Sequence, residues 1–325
     1  MRLYLAATLV LLTAGSAWAQ TAGDEFDFKL ALPEHAGQFQ FRADGFRIMD
    51  VSAKPKGAEL GLHGADSSGR IRFLAFLFLF PEQKPMTSLK CRDGIMEPMK
   101  KADSGLKIQA TSRMISAAGQ TIELVSYSQG GRNAQFVVRS FVAEGDLCAD
   151  VEFYSQSQIS ADDADIRKMI SSYQFNPLYQ PQADDAFFYA EILYRHDMYK
   201  DAAPIFESVA QRLKEDKAPS AELRRRIATD QAGMSYGISG NIGKARSIFE
   251  AAIKIDPDYP LNYYNLACAD AEEGKLADAR AHLEQAFARK ANMLPGEKLP
   301  DPTTDDSFLP HKNNKEFWAF LQSLH

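Results

Sequence analysis

Polar and apolar residues alternate along much of the first 180 residues, which is the pattern of strands with one buried face. The segment DEFDFKL at residues 24–30 changes sides at nearly every step. Residues 71–80 (IRFLAFLFLF) differ, because large apolar side chains occupy both alternating sets of positions. We therefore predict that residues 71–80 form a central strand that is covered on both faces.

Four further strand patterns follow in close order and predict an antiparallel meander. They cover residues 106–117, 120–128, 134–142 and 147–154. Glycines mark the turns between them, at Gly119, Gly130 and Gly145. A helix is predicted before the meander, at about residues 87–99, and a second one is predicted to start at Ser160, where a hydroxyl can cap the free amides.

The second half of the chain changes to a helical pattern that repeats. The repeat consists of Gly240, Ala245, Phe249 and Ala252, followed thirty-four residues later by Gly274, Ala279, Leu283 and Ala286. A period of about 34 residues with small residues at fixed places is typical of helical hairpins that stack into an array. Small residues let the two helices of a hairpin approach closely, and bulky ones fill the space beside them.

These positions resemble the tetratricopeptide repeat, in which a Leu-Gly step precedes the small residues; here that step is Leu266-Ala267. A third unit lies upstream, and its Ala202 precedes Ala245 by more than one repeat length, so we assign the extra residues to 214–223. The resemblance implies three hairpins over residues 181–293. It also implies a fold that binds proteins and seldom carries out chemistry.

Residues 294–325 are predicted to close the array. Pro295, Pro300, Pro302 and Pro310 indicate an extended connection, and the apolar residues of 315–324 indicate a final capping helix. Arrays of stacked hairpins need such a cap at each end.

The first half resembles the PsbP-like fold of the photosystem II extrinsic subunit. The resemblance covers residues 24–180 and rests on an opening strand, a twisted antiparallel sheet and a closing helix that ends in SSYQF at residues 171–175. It implies a family with many exported bacterial proteins. The predicted fold class is therefore α+β, an antiparallel-sheet α/β sandwich followed by an all-α tetratricopeptide-repeat array.

The first residues have the pattern of a signal peptide. Met1-Arg2 is followed by an apolar run over residues 3–12 and by the small-residue triplet Ala17-Trp18-Ala19. We predict a signal peptide at residues 1–19, an α+β domain at residues 20–180, and a periplasmic or secreted mature protein without stable membrane insertion. An uncleaved anchor is the alternative.

The net charge and the lack of catalytic motifs argue against two classes of function, nucleic-acid binding and catalysis. The formal net charge is −6 and no basic face is evident, which argues against nucleic acid as a ligand. No serine lies in a Gly-x-Ser-x-Gly elbow, since the one match to these letters, Gly233 to Gly237, falls within the helical repeat pattern and not between a strand and a helix. The sequence also has no His-Glu-x-x-His pair and no phosphate-binding glycine loop. We therefore predict no enzyme activity, no metal and no cofactor. A hydrolase whose residues show no linear motif is the alternative.

The three cysteines have different surroundings. Cys91 and Cys148 lie in the half that would meet an oxidising compartment, so we predict a disulfide between them, with free thiols as the alternative. Cys268 lies in a repeat helix among small apolar residues, which is typical of a buried position.

The first helix of each hairpin lines the inner groove of a repeat array, so groove residues can be predicted from the repeat register. They are Phe188, Glu191, Tyr194, Arg195, Asp230, Met234, Ile238, Tyr264, Asn265 and Cys268. Aromatic side chains offer contact area, and arginine or asparagine can fix the peptide groups of a bound segment. Packing against a neighbouring hairpin is the alternative role for each of them.

Together these patterns predict an exported, non-enzymatic adaptor that binds a protein or peptide partner in the cell envelope through its repeat groove. The alternative is an envelope protein that binds a small molecule or lipid in the N-terminal domain, with the repeats as a brace. That alternative is motivated by the aromatic strand containing Phe73, Phe76, Phe78 and Phe80.

Overall fold

The computed structural model describes residues 27–80, 85–130 and 134–324. The predicted signal peptide at residues 1–19 lies outside this part of the chain. The described residues fall into two compact units, the first reaching Leu193 and the second beginning at Tyr194. None of the helices described is both long and apolar enough to cross a bilayer.

The first unit is built from strands and three helices. Its strands are β1 (Phe28–Leu30), β2 (Gln38–Phe41), β3 (Phe46–Lys54), β4 (Glu59–Asp66), β5 (Arg72–Leu79), β6 (Lys107–Ile115), β7 (Thr121–Gln129), β8 (Gln135–Glu144), β9 (Leu147–Ser155) and β10 (Gln174–Asn176). Its helices are α1 (Ser88–Ala102), α2 (Ala164–Ser171) and α3 (Ala183–Arg195), and the division between the units falls near the end of α3.

The strands form one large sheet and one small sheet, and every pairing between them is antiparallel. The large sheet has the order β3-β4-β5-β9-β8-β7-β6, and the small one has the order β1-β2-β10. Strands β6 to β9 are consecutive neighbours, so the predicted meander is confirmed. The α+β fold class predicted from the sequence is confirmed as well.

Strand β5 lies between β4 and β9, inside the large sheet as predicted. Its face with Phe73, Ala75 and Leu77 is fully buried, since each of the three side chains is 0% exposed. The opposite face, which includes Phe76 and Phe78, is only half-buried. The double apolar pattern therefore predicted the covered interior strand but overstated how completely its second face is covered.

Aromatic side chains fill the core between the large sheet, the small sheet and α2. Phe39 packs edge-on against Tyr173, with 5.2 Å between ring centroids, and Phe41 packs edge-on against Phe73 at 6.4 Å. Helix α2 begins four residues after Ser160, since the Ser160 hydroxyl accepts from the Asp162 amide in a preceding turn. The capping position is occupied by Asp163 instead.

Helix α1 covers the opposite face of the sheet. The Thr87 hydroxyl accepts from the Lys90 amide and caps the helix start, close to the predicted position. Cys91 of α1 and Cys148 of β9 are joined as a disulfide with 5.7 Å between their Cα atoms, and both are fully buried.

The second unit is helical. Its helices are α4 (Tyr199–Arg212), α5 (Pro219–Ile238), α6 (Ile242–Ile255), α7 (Pro260–Glu272), α8 (Leu276–Ala288) and α9 (Lys315–Ser323). Each helix from α4 to α8 packs against the next one. Pro219 stands in the first turn of α5, where its missing amide costs nothing, so many of the extra residues lengthen this helix at its start.

The repeating small residues lie at helix ends and at close contacts between helices, as the repeat pattern predicts. Gly240 and Gly274 follow α5 and α7 with φ values of 90° and 74°, a conformation that side chains disfavour. A Cβ on Gly233 would lie 2.3 Å from a ring atom of Phe249, so α5 and α6 approach each other closely because this residue has no side chain.

The C-terminal residues cap the last hairpin. Phe317 and Leu321 of α9 join Leu283 of α8 in one buried cluster, together with Phe308 from the connection before α9. Trp318 is partly buried against the same cluster. The predicted capping helix is thus present, and it is preceded by short turns rather than by a fully extended connection.

Candidate protein-binding groove

Two of the first helices, α5 and α7, bring predicted groove residues of the second unit together. Asp230, Met234 and Ile238 follow one another at four-residue spacing and therefore share a face of α5. The α7 residue Asn265 meets this face, because its side-chain amide donates to Asp230 Oδ1 over 2.5 Å. Successive hairpins are thus joined at the positions where the repeat pattern placed the groove.

The chain itself covers part of this groove. We call residues 294–307 the strap, and we call Asp230, Tyr259, Tyr264, Asn265 and Cys268 the groove floor. The strap runs from the short turn after α8 to Phe308. Tyr264 is 0% exposed and Asn265 is 6% exposed, so these predicted partner-binding residues lie beneath other parts of the protein.

Two carboxylates of the strap bind hydroxyl groups of the floor. Glu297 Oε2 accepts from the Tyr259 hydroxyl at 2.9 Å. Asp305 Oδ2 accepts from the Tyr264 hydroxyl at 3.1 Å and lies 3.9 Å from Cys268 Sγ. Each strap carboxylate also accepts from a nearby strap amide, that of Leu294 for Glu297 and that of Ser307 for Asp305.

An aromatic anchor follows the strap. Phe308 is 0% exposed and packs edge-on against Tyr264, with 6.0 Å between ring centroids. His311 Nε2 lies 2.8 Å from the carbonyl oxygen of Ala271 on α7. Sequence reasoning missed Glu297, Asp305 and Phe308, although a lone phenylalanine between the prolines of a polar segment indicates an anchor of this kind.

Three carboxyl groups of the strap and floor have altered acidity, of which Asp305 is buried and Asp230 and Glu297 are half-buried. Burial raises the pKa of Asp230 to about 7, and the neighbouring Glu297 adds to the rise. Burial also raises the pKa of Glu297 and of Asp305 above their ordinary values. Among the described residues, none of these three carboxylates forms an ion pair. The nearby Arg226 lowers the pKa of Glu297 only partly and is itself paired with Asp256 at 2.5 Å.

The thiol and hydroxyl groups of the floor are held neutral. Burial and the nearby Asp305 raise the pKa of the Cys268 thiol well above its usual range. Burial also raises the pKa of Tyr259 and of Tyr264, followed by the charges of Asp230 and Glu297 for Tyr259 and by Cys268 and then Asp305 for Tyr264. The floor therefore offers hydrogen-bond donors and aromatic surface at neutral pH, and Cys268 is not placed as a nucleophile.

The remaining predicted groove residues lie in α3. Phe188 and Glu191 belong to the first unit, whereas Tyr194 and Arg195 begin the second. Tyr194 packs edge-on against Tyr199 with 5.1 Å between centroids, so part of its surface serves packing within its own unit. Tyr194, Met234 and Ile238 are all partly exposed.

A second polar cluster ties the last two hairpins together. Asp270 of α7 is fully buried and accepts from Arg246 of α6 at 2.7 Å. Its other oxygen lies 2.6 Å from His282 Nδ1 on α8. Because the guanidinium occupies the same carboxylate, the imidazole–carboxylate pair serves as a structural bridge between helices. Within the described ranges, no group of three or more His, Cys, Asp or Glu residues is placed to hold a metal ion.

The aromatic residues that motivated a ligand pocket are packed instead. Phe73 is buried in the core of the first unit, and the Phe76 and Phe78 rings lie 5.6 Å apart on the opposite face. Phe78 and Phe80 contact the cluster around the disulfide. Phe78 and Phe80 therefore fill space between the sheet and α1, whereas Phe73 fills the core on the other face of the sheet.

Comparison with known proteins identifies repeats in part of the second unit. The model of the tetratricopeptide repeat matches residues 238–293. These residues are tetratricopeptide repeats. The match covers α6, α7 and α8 and confirms the resemblance inferred from the spacing of glycine and alanine. No curated protein matches the chain significantly.

Solved structures similar to this chain include both repeat proteins and a PsbP protein. The type III secretion translocator chaperone SycD of Yersinia enterocolitica is 17% identical, with 46% of this chain and 96% of that one covered at a TM-score of 0.31. The Sgt2 tetratricopeptide domain from Aspergillus fumigatus is 17% identical, with 43% and 80% covered at 0.31. Cyanobacterial PsbP from Synechocystis is 14% identical, with 43% and 87% covered at 0.32.

Proposed function

We propose that this chain is an exported, non-enzymatic adaptor that binds a protein partner in the cell envelope through the inner groove of its helical unit. The observation that carries the proposal is the tetratricopeptide match over residues 238–293. Stacked hairpins of this type form concave surfaces that bind extended segments or helices of other proteins.

The uncovered part of the groove supports a partner contact on α5. Met234 and Ile238 are partly exposed on the same helical face as Asp230. Apolar side chains beside a polar floor provide contact area together with directional hydrogen bonds, which is the composition of protein-binding surfaces.

Site-specific photo-crosslinking tests the groove. A photo-reactive amino acid replaces Ile238 in one variant and Ile255 in a matched control, since Ile255 is an isoleucine of the second helix of the same hairpin and is 55% exposed. We expect a discrete crosslinked product in cells from position 238 and not from position 255. Equal products from both positions, or none from position 238, would contradict binding through the groove.

Export has its own test. Signal cleavage after Ala19 requires that the mature protein begin at Gln20. We expect N-terminal sequencing of protein recovered from the envelope fraction to give that residue. Recovery of the chain in the cytoplasmic fraction with Met1 retained would remove the export part of the proposal and leave the groove part standing.

A further inference from the structure

The strap brings negative charge onto a surface that already contains a half-buried acid. Glu297 and Asp305 belong to the strap, and Asp230 belongs to the floor. Their hydrogen-bond partners are two tyrosine hydroxyls and one asparagine amide, all of them neutral. An ionised carboxylate that leaves water needs a cation to offset its lost hydration, and neutral donors offset it only in part.

Charged and titratable groups of α5, α7 and the strap surround Glu297 and Asp305. Arg226 of α5 is the cation that acts on Glu297, and its own ion pairs are with Asp256 and Glu222. Asp305 faces Tyr264 and Cys268 of α7 and is close to Asp306 in sequence and in space. The strap residue Asp301 acts on Tyr264, and Glu272 acts on Cys268. The surroundings are therefore predominantly acidic.

The strap is held separately from the cap that follows it. Asn314 caps the start of α9, since its side chain accepts from the Phe317 amide, and Phe317 and Leu321 of the helix pack on the last hairpin. Phe308 is likewise part of that apolar cluster. The strap is joined to the floor by its two carboxylates and by Ser307, which is buried and hydrogen-bonded with Cys268, while Leu299 packs on the margin of the cluster. The cap has its own apolar contacts with the last hairpin, apart from these polar ones.

We propose that the strap is a proton-controlled cover of the groove floor, closed in mildly acidic solution and open once its own two carboxyl groups and Asp230 of the floor lose their protons. Opening uncovers Tyr264, Asn265 and Cys268 for another ligand of the floor. The proposal goes beyond the partner binding proposed above and holds whether or not a partner exists.

The direction of the effect follows from proton linkage. The closed state holds protons on acids whose pKa burial has raised, for Asp230 to about 7, whereas the same acids in open, hydrated surroundings titrate near their ordinary values of about 4. The closed state therefore binds more protons between these values. Closure weakens as the pH rises through this window, and the effect levels off above the closed-state pKa values.

Hydrogen exchange on the full mature chain with its disulfide intact tests the proposal. The reporters are the amides of Leu294 and Ser307, which donate to the strap carboxylates. After correction for the intrinsic pH dependence of exchange, we expect their protection to fall about tenfold between pH 5.5 and pH 8, while amides of α7 and α8 keep theirs. Equal protection at both pH values, or an equal fall across α7 and α8, would overturn the proposal.

Neutral isosteres provide the matched variants. Glu297→Gln and Asp305→Asn keep an acceptor for each tyrosine hydroxyl but remove the charge, so we expect protection at pH 8 to rise to the level seen at pH 5.5. Glu316→Gln is the control, because it changes the same charge in the tail on a side chain that is 89% exposed. Unchanged pH dependence in the two strap variants would refute the assignment. If either variant fails to fold, the wild-type pH comparison decides by itself.

Discussion

Both units bury an acid against a guanidinium, Asp150 in the first and Asp270 in the second, but the second unit also holds a group of acids whose partners are neutral. In the first unit, the Arg139 guanidinium binds Asp150 through two nitrogens at 2.8 and 2.5 Å and reaches Glu152 at 3.0 Å. In the second unit, Asp230, Glu297 and Asp305 are hydrogen-bonded to neutral groups. Arg139 thus joins strands β8 and β9 through a permanent cation. In the described part of the chain, Asp230, Glu297 and Asp305 have no such cation, so their charge is neutralised only when they bind protons.

Carboxylates withdrawn from solvent therefore have two different roles in this chain, one in rigidity and one in the response to pH. A bidentate guanidinium holds its partners ionised and rigid, so it favours one structure over a wide pH range. Burial still raises the pKa of Glu152, because one guanidinium serves two acids. Acids held by hydroxyl and amide groups instead make the local structure responsive to pH.

The largest expected effect comes from removing the cation. Arg139→Met keeps the apolar stem but leaves Asp150 buried with no opposite charge, so we expect the first unit to lose about 3 to 5 kcal/mol of unfolding free energy. Urea unfolding of the full chain, followed by hydrogen exchange of β8 and β9 amides, measures it. Arg113→Met is the control, since that arginine pairs with Glu123 while its own side chain is 59% exposed, and we expect a loss of about 1 kcal/mol or less.

The next effect comes from the disulfide that links α1 to β9. It joins residues 57 positions apart, so its removal frees a long loop in the unfolded chain. We expect the Cys91→Ala, Cys148→Ala double variant to lose about 2 to 4 kcal/mol in the first unit and nothing in the second. Hydrogen exchange resolved by segment separates the two units. A loss shared equally by both would contradict the independent description of the units.

Close helix packing gives a smaller effect in the second unit. Gly233→Ala places a Cβ against the Phe249 ring, and we expect about 1 to 3 kcal/mol of destabilisation because the ring must move. Gly243→Ala in α6 is the matched control, since nothing lies near its added Cβ, and we expect a gain of up to about 1 kcal/mol from helix propensity. Thermal unfolding of both variants measures the pair, and similar values for the two would show that the close approach is not required.

The smallest effect is the pH slope of the second unit. Because the folded-state pKa of Asp230 is raised to about 7, folding takes up a proton above the unfolded pKa, and stability falls by about 1 kcal/mol per pH unit between pH 5 and 7. Asp230→Asn should flatten this slope. Asp278→Asn on exposed α8 surface should leave it unchanged. Urea midpoints at each pH measure both, and a persistent slope in Asp230→Asn would assign it to other groups.

Most of the fold could be predicted from local sequence patterns. Alternation placed the meander, and the spacing from Gly240 to Gly274 placed the hairpins, because both features depend on a residue's immediate neighbours. The helix start at Ser160 was placed four residues early, since a hydroxyl caps a turn as readily as a helix and the sequence does not distinguish the two.

The covered floor was beyond sequence reasoning because it depends on contacts between distant positions. Tyr264 and Asp305 lie 41 residues apart, and neither has a local pattern that identifies the other. The register predicted Asp230 and Asn265 as groove residues of successive first helices, and the structure adds the hydrogen bond that joins them. It carried no information on which segment lies over them, and the prolines of the connection indicated only that no long helix forms there.

The Tyr189 hydroxyl, buried at the start of the helical half, has a practical consequence for dissecting the protein. It donates to the backbone carbonyls of Lys54 and Glu59, which would otherwise be left without this partner at the end of the β3–β4 hairpin. A recombinant fragment that ends at residue 180, where the composition changes, would lack Tyr189. The Lys54 and Glu59 carbonyl groups at the end of the β3–β4 hairpin would then lose this hydrogen-bond donor. A fragment that extends to Leu193 keeps Tyr189 and is therefore the better choice for structural studies of the isolated sheet domain.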